Sequence, residues 1–190
     1  MKYLLILIPS LFFLLLVLPI NAYAQEEIII SPAVSITYTP TPSIQSYSLP
    51  YPGILPDNPL YFVKTFRDRI ISFMISDALK KAEFDILQAD KRMNAAYYLL
   101  DKRIGKEELA ITTISKAENY YEEAIARIRE AKQEGRDIRG AIKHLQRARE
   151  YYLSLFPKMK KKISPSFQSG FAYVTKRMEL FEKDVNELSL

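Results

Sequence analysis

Along the C-terminal two-thirds of the chain, apolar residues recur at alternating intervals of three and four. From Leu79 to Leu100 they fall at Leu79, Ala82, Ile86, Ala89, Met93, Ala96 and Leu100, an unbroken heptad seam on one side of a helix. One helix cannot bury such a seam alone, and the alternation of alanine with larger side chains predicts close approach by a neighbour. The spacing predicts this helix over 78–103, capped by Asp77, and another over 106–134 through Ala110, Ile114, Ala117, Tyr121, Ala124, Ile128 and Ala131. A third carries Ile138, Ala141, Leu145, Ala148, Tyr152 and Leu155, with Asp137 as its cap and Pro157 as its stop. A fourth opens at Ser164-Pro165 and runs through Phe171, Val174, Met178, Phe181, Val185 and Leu188. Gly105 and Gly135 sit where a left-handed residue ends a helix. Ahead of all four, Pro59 to Ile75 reads as a shorter amphipathic helix with Leu60, Val63, Phe66, Ile70 and Phe73 on its apolar face. Arg67, Asp68 and Arg69 lie between them, and the helix is too short to stand alone.

Long heptad helices joined by short breaks specify an all-α fold, an antiparallel bundle of four long helices plus the short N-terminal helix. An internal echo accompanies the pattern: Glu108 to Tyr121 resembles Arg139 to Tyr152 at an offset of 31, sharing Ala-Ile, Ala and Tyr-Tyr. A tetratricopeptide array has a period of about 34, but places two short helices in each repeat. Here each helix alone takes over twenty residues, which favours the long bundle over a helical-hairpin solenoid.

The N-terminal third is built differently. Lys2, the apolar run Leu4 to Ile20, and Ala22-Tyr23-Ala24 before Gln25 form the tripartite pattern of a secretory signal peptide. The alternative is an uncleaved membrane anchor, since about 17 to 20 apolar residues span a bilayer. Either reading places the remainder outside the cytoplasm, secreted or envelope-associated. Residues 25–58 hold Pro32, Pro40, Pro42, Pro50, Pro52 and Pro56 among Ser, Thr and Tyr residues, which reads as an extended linker. The expected organisation is a signal peptide at 1–24, the linker at 25–58 and the helical domain at 59–190. Asp57 or Asn58 is placed to cap the first helix, with Pro59 in its first turn.

The run Leu55-Pro56-Asp57-Asn58-Pro59-Leu60-Tyr61-Phe62-Val63-Lys64 resembles the opening motif of a bacterial family of exported or membrane-attached helical domains known only as a domain of unknown function. That family tends to read Leu-Pro-Asp-Ser-Pro-Leu-Tyr, then Lys-Ala-Glu, then Ala-Glu-Arg-Arg-Leu. Lys81-Ala82-Glu83 and Ala89-Asp90-Lys91-Arg92-Met93 match the later elements, with Asn58 and Met93 as departures. The likeness covers about 54–133 and leaves the last two helices outside it. It implies an exported helical module, in some relatives beside anti-sigma factors, and carries no catalytic residue. An extracytoplasmic sensory module is one role it implies.

Composition narrows the chemistry. In 190 residues there is no cysteine, which removes disulfides, thiolate catalysis, thiolate-bound zinc and a lipoprotein anchor, and one histidine leaves little metal chemistry. His144 stands on a charged helix without a nucleophile motif, and Glu107-Glu108 and Glu122-Glu123 point about 100° apart on a helix. No glycine-rich phosphate loop occurs and the Glu-x-x-His signature of di-iron bundles is absent. The expectation is therefore a protein that is not an enzyme, with no catalytic residue, metal or cofactor.

Charge is unevenly spread. Residues 106–135 hold seven acidic and five basic side chains, a balance of −2, and residues 136–162 hold two and nine, a balance of +7. Part of this charge is expected to pair across the bundle and the rest to be solvated. The sharper reading is an anion-binding surface of Arg136, Arg139, Lys143, Arg147, Arg149, Lys158, Lys160, Lys161 and Lys162, facing an anionic envelope polymer or lipid. Tyr151, Tyr152 and Phe156 belong to the seam or its edge, so nucleic acid is disfavoured as a ligand. In each of the pairs Tyr97-Tyr98, Tyr120-Tyr121 and Tyr151-Tyr152, one ring is expected in the seam and the other at its edge. The leading functional expectation is an interaction or scaffold module with a protein partner or a second copy of itself.

Overall fold

The computed structural model describes residues 47–102 and 104–189. The expected signal segment and most of the expected linker lie outside the described residues. Within them the chain is all-helical: α1 (Tyr61–Met74), α2 (Ala78–Lys102), α3 (Glu107–Gln133), α4 (Arg139–Lys160) and α5 (Gln168–Ser189), with a 3-10 turn at Pro165–Phe167 before α5.

Local chemistry sets these boundaries. The Asp77 carboxylate accepts from the amide of Lys80 at 2.9 Å and caps α2, and Asp137 accepts from the Arg139 amide at 3.1 Å ahead of α4. Gly105 and Gly135, at φ of 68° and 73°, turn the chain out of α2 and α3 in the left-handed region that disfavours a side chain. Pro157 does not stop α4 as its type predicts; the helix continues to Lys160. The proline lies exposed near the end of the helix, so the hydrogen bond it forgoes is lost where water reaches the backbone.

The core is made by the predicted seams. Ala82, Ile86, Ala89, Met93, Ala96 and Leu100 of α2 are buried, as are all seven seam residues of α3 and the six of α5. From α4, Ala141, Leu145, Ala148, Tyr152 and Leu155 join them, and Leu79 is half-buried. Alanine at every second seam position of α2 and α3 allows the tightest of the helix pairings, and the others join α3 to α5, α4 to α5 and α2 to α4. Polar contacts tie the ends: Lys162 pairs with Asp101 at 2.9 Å, Arg136 with Asp77 at 3.2 Å, and Lys132 donates to the Leu188 carbonyl at 3.0 Å. α1 stands outside these principal pairings.

The opposite charge of α3 and α4 is not resolved between those two helices. The acids Glu118 and Glu122 of α3 approach Arg177 of α5 at 3.7 and 2.7 Å, while Arg149 of α4 pairs with Glu182 of α5 at 2.9 Å. α3 and α4 meet instead through the core, where the Tyr121 hydroxyl donates to the Leu145 carbonyl at 2.9 Å, so their charged sides do not face each other.

Candidate functional site

The first helix is turned over relative to its apolar pattern. Lys64 and Asp68 are the buried residues of α1, while Phe62, Val63, Phe66, Ile70, Phe73 and Met74 are exposed. The surface beneath it is polar as well. Beside the alanine seam, α2 carries a second buried stripe, Asp85, Gln88 and Arg92, at spacings of three and four. The Arg92 guanidinium donates to the side chain of Gln88 at 2.7 Å and to the Tyr120 hydroxyl at 3.2 Å, and stacks on the Tyr120 ring at 4.1 Å. Arg92 and Tyr120 border the cleft beneath α1 together with Tyr61, Thr65 and Asp68, so the surface under the helix is polar.

The segment ahead of α1 completes the seat. Asn58 accepts from the Leu60 amide at 2.8 Å, and the chain folds back at Gly53 so that the carbonyls of Pro52 and Ile54 accept from the Lys64 ammonium. Burial pulls Lys64 down to about 8. Asp68 takes Arg67 at 2.8 Å on one carboxylate oxygen, and its other oxygen is buried without a hydrogen bond. Between α1 and the α2–α3 surface lies a cleft of about 550 Å³ bordered by Asp68, Arg69, Lys81, Arg92, Lys116 and Glu123. Its mixed signs select neither an anion nor a cation.

On the outer side the geometry is simpler. At about 100° per residue, Phe62, Phe73, Phe66, Ile70, Val63 and Met74 fall within an arc of roughly 120°, with Arg69 just beyond one edge and Arg67 just beyond the other, followed by the exposed Ile71. Phe66 is 60% and Phe73 88% exposed. Leu60, just ahead of the helix, is exposed as well. This is a contiguous apolar face of the kind that marks an interaction site.

From Tyr47 onward, the end of the stretch expected as linker is docked on the helices. The Tyr47 hydroxyl donates to Asp90 of α2, 2.8 and 2.7 Å from its two oxygens, and Tyr152 of α4 donates to the same carboxylate at 2.6 Å. Burial raises the Asp90 carboxyl above its ordinary range, and the two phenols partly offset that. His144 stands 3.4 Å from the Tyr47 hydroxyl and 2.7 Å from a Glu83 oxygen, and the contact with Glu83 raises the imidazole. The Asn94 amide donates to the Pro50 carbonyl at 2.8 Å. The network fastens the arm to α2 and α4. Tyr121 and Tyr152 lie in the core with Tyr120 and Tyr151 at its edge, whereas Tyr97 and Tyr98 are both half-buried.

The nine basic residues expected to form one anionic-ligand surface are divided. Arg136 pairs with Asp77, Arg139 with Asp137 at 2.7 Å, and Lys162 with Asp101. Arg149 is turned onto α5, donating to the carbonyls of Met178 and Glu179 at 3.1 and 3.0 Å as well as to Glu182. Lys143, Arg147, Lys158, Lys160 and Lys161 are exposed and make no ion pair among the described residues. Lys160 also borders a groove of about 820 Å³ between α4 and α5, floored by Phe156 and Phe171.

The outward face of α1, the inward Lys64 and the Asp90 cluster were not singled out from the sequence. One signal was present: the polar residues at 85, 88 and 92 repeat at helical spacing beside an apolar seam, which marks a second packed side of α2.

Among family models, one described as a domain of unknown function, DUF5667, matches residues 53–150. The match begins at the Gly53 turn, takes in α1, α2 and α3, and extends past the limit of 133 expected from the motifs into the first half of α4. No curated protein and no solved structure matches the chain.

Proposed function

The chain belongs to the DUF5667 family, a domain of unknown function, and we propose that it is an exported, non-enzymatic helical module that works by presenting α1 to a partner. The observation that carries this reading is the outward apolar face of α1, left open although α2 to α5 share a buried core of their own. The scaffold is read as an antiparallel bundle of α2 to α5, supported by the end contacts Asp101 to Lys162 and Lys132 to Leu188. Export rests on the pattern of residues 1–24. Fastening of the arm to Asp90 and of Lys64 to the Gly53 turn holds α1 in one orientation.

Retention on envelope fractions, with the wild type set against a Phe66→Glu, Ile70→Glu variant, tests this reading. Retention that survives high salt and is lost in the variant is expected, because an apolar contact is not screened by ions. Equal retention of the two proteins overturns it. A second reading is favoured by five cations of α4 and its C-terminal end that make no ion pair among the described residues: an anionic envelope polymer held at Lys143, Arg147, Lys158, Lys160 and Lys161. Binding through that surface falls with salt and survives the α1 changes.

A further inference from the structure

We propose that the partner of α1 is an anionic phospholipid bilayer, on which the helix lies in the plane of the surface with its apolar face inserted; the proposal rests on the reading of α1 as the docking element. Length is the first argument. α1 has 14 residues, about 21 Å of helix, and no helix among the described residues is long and apolar enough to cross a membrane. A short helix with a full apolar face lies on a bilayer rather than through it.

The second argument is the placement of charge. Arg67 and Arg69 are the exposed charged residues of α1, Arg69 beyond one edge of the apolar arc and Arg67 past the other, between Met74 and Ile71. Their stems can run along the apolar face while the guanidinium groups reach phosphate, the arrangement of an interfacial helix. Arg67 meets Asp68 and still keeps 62% of its side chain exposed. The only acid of the helix, Asp68, is turned inward, so the outer side carries no negative charge to repel anionic lipid.

The same placement argues against a second copy as the occupant. A two-fold pairing of α1 with itself brings cationic edges together with no carboxylate on either outer face to answer them. A bilayer supplies hydrocarbon for Phe62, Phe66 and Phe73 and phosphate for both edges at once. In chain order α1 is also the helix nearest to Leu4 to Ile20, the apolar segment read from sequence as a signal peptide or membrane anchor.

The chain lacks cysteine, so a single probe can be placed cleanly. The full chain carrying Phe66→Cys is labelled with an environment-sensitive nitrobenzoxadiazole and mixed with phosphatidylcholine vesicles, with or without phosphatidylglycerol. A Tyr173→Cys chain, labelled at an exposed position of α5, serves as the reference. The expected result is a blue shift at position 66 with the anionic vesicles and none at position 173. Adding Arg67→Gln or Arg69→Gln is expected to weaken the anionic-vesicle response about fivefold each. Unchanged emission at 66 overturns the proposal. A probe already shifted before lipid is added also overturns it, since the face is then covered by the chain itself or by a second copy. Equal shifts at both positions report whole-protein adsorption and overturn it too. If envelope proteins freed of lipid are retained through Phe66 and Ile70 while the probe ignores vesicles, the lipid assignment falls and the interaction reading stands.

Discussion

In α5, Phe171, Val174, Met178, Phe181, Val185 and Leu188 are each at most 4% exposed; in α1, Val63, Phe66, Ile70 and Phe73 repeat at the same spacing and are 50, 60, 42 and 88% exposed. Both helices have an amphipathic pattern, and both are held by polar contacts to their neighbours. The difference is what each one meets. α5 faces the seams of α3 and α4, whose Tyr121 and Phe156 rings pack against Phe181 and Phe171. α1 has Lys64 and Asp68 as its inner side, with Lys64 donating to the carbonyls of Pro52 and Ile54. An apolar period therefore states which side of a helix seeks cover, and the neighbouring surface decides whether cover exists.

The largest expected effect tests that contrast directly. Phe181→Ala removes a ring from the close-packed core and is expected to cost about 3–5 kcal/mol. Phe66→Ala removes a ring from the exposed face and is expected to change stability by less than about 0.5 kcal/mol. Urea unfolding of the two variants reads both. A similar loss for each would mean that the α1 face is covered in solution.

How much of this was legible can be judged residue by residue. The seams of α2, α3 and α5, the cap at Asp77 and the turns at Gly105 and Gly135 follow from local spacing and residue type, and the structure has them where the sequence puts them; at α4 the cap position falls on Ile138, one residue after the expected Asp137. The exposed side of α1 was not legible, because its inward Lys64 is held by the carbonyls of Pro52 and Ile54, 12 and 10 residues upstream. Nor could the sequence assign Arg136 to Asp77 or Arg149 to Glu182, partners 59 and 33 residues away. A run of basic residues looks like one surface until the fold distributes its counterions. The docking of Tyr47 on Asp90, across 43 residues, was hidden in the same way.

A second test concerns the polar side of that contrast, where buried carboxylates stand close to the core. Burial pushes Asp85 up to about 7 and Glu118 up to about 8, from ordinary values of 3.8 and 4.5, and neither Asp85 oxygen has a hydrogen bond among the described residues. Glu123 adds to the rise at Asp85, while Arg127 and Lys81 oppose it; at Glu118, Glu122 adds and Arg177 opposes. The folded state holds these protons more tightly than the unfolded chain, so stability falls as pH rises from the ordinary carboxylate values through about 7 and 8. Asp85→Asn and Glu118→Gln are each expected to stabilise the fold by about 1–3 kcal/mol above pH 8, with the gain shrinking as pH falls toward 4. Unfolding free energies measured across that range give the answer. A gain independent of pH would mean that the two acids titrate in the fold as they do in the unfolded chain.

The smallest expected effect separates a helix that is part of the core from one that is attached to it. The cap position of α1 is Leu60, without a side-chain cap, and Asn58, expected as the cap, instead closes the turn ahead of it by accepting from the Leu60 amide. A lost contact there costs about 0.5–1.5 kcal/mol, but global unfolding registers that cost only if the helix melts together with the rest. α1 lies outside the principal helix pairings, so its fraying and the unfolding of α2 to α5 are separable events. Asn58→Ala is thus expected to leave the urea midpoint almost unchanged while speeding amide exchange in α1 by about fivefold, with exchange in α3 and α5 unaltered. A midpoint shift as large as the exchange effect would join α1 to the cooperative core. Its apolar face would then be the exposed side of a structural helix, and not a surface free to engage a partner on its own.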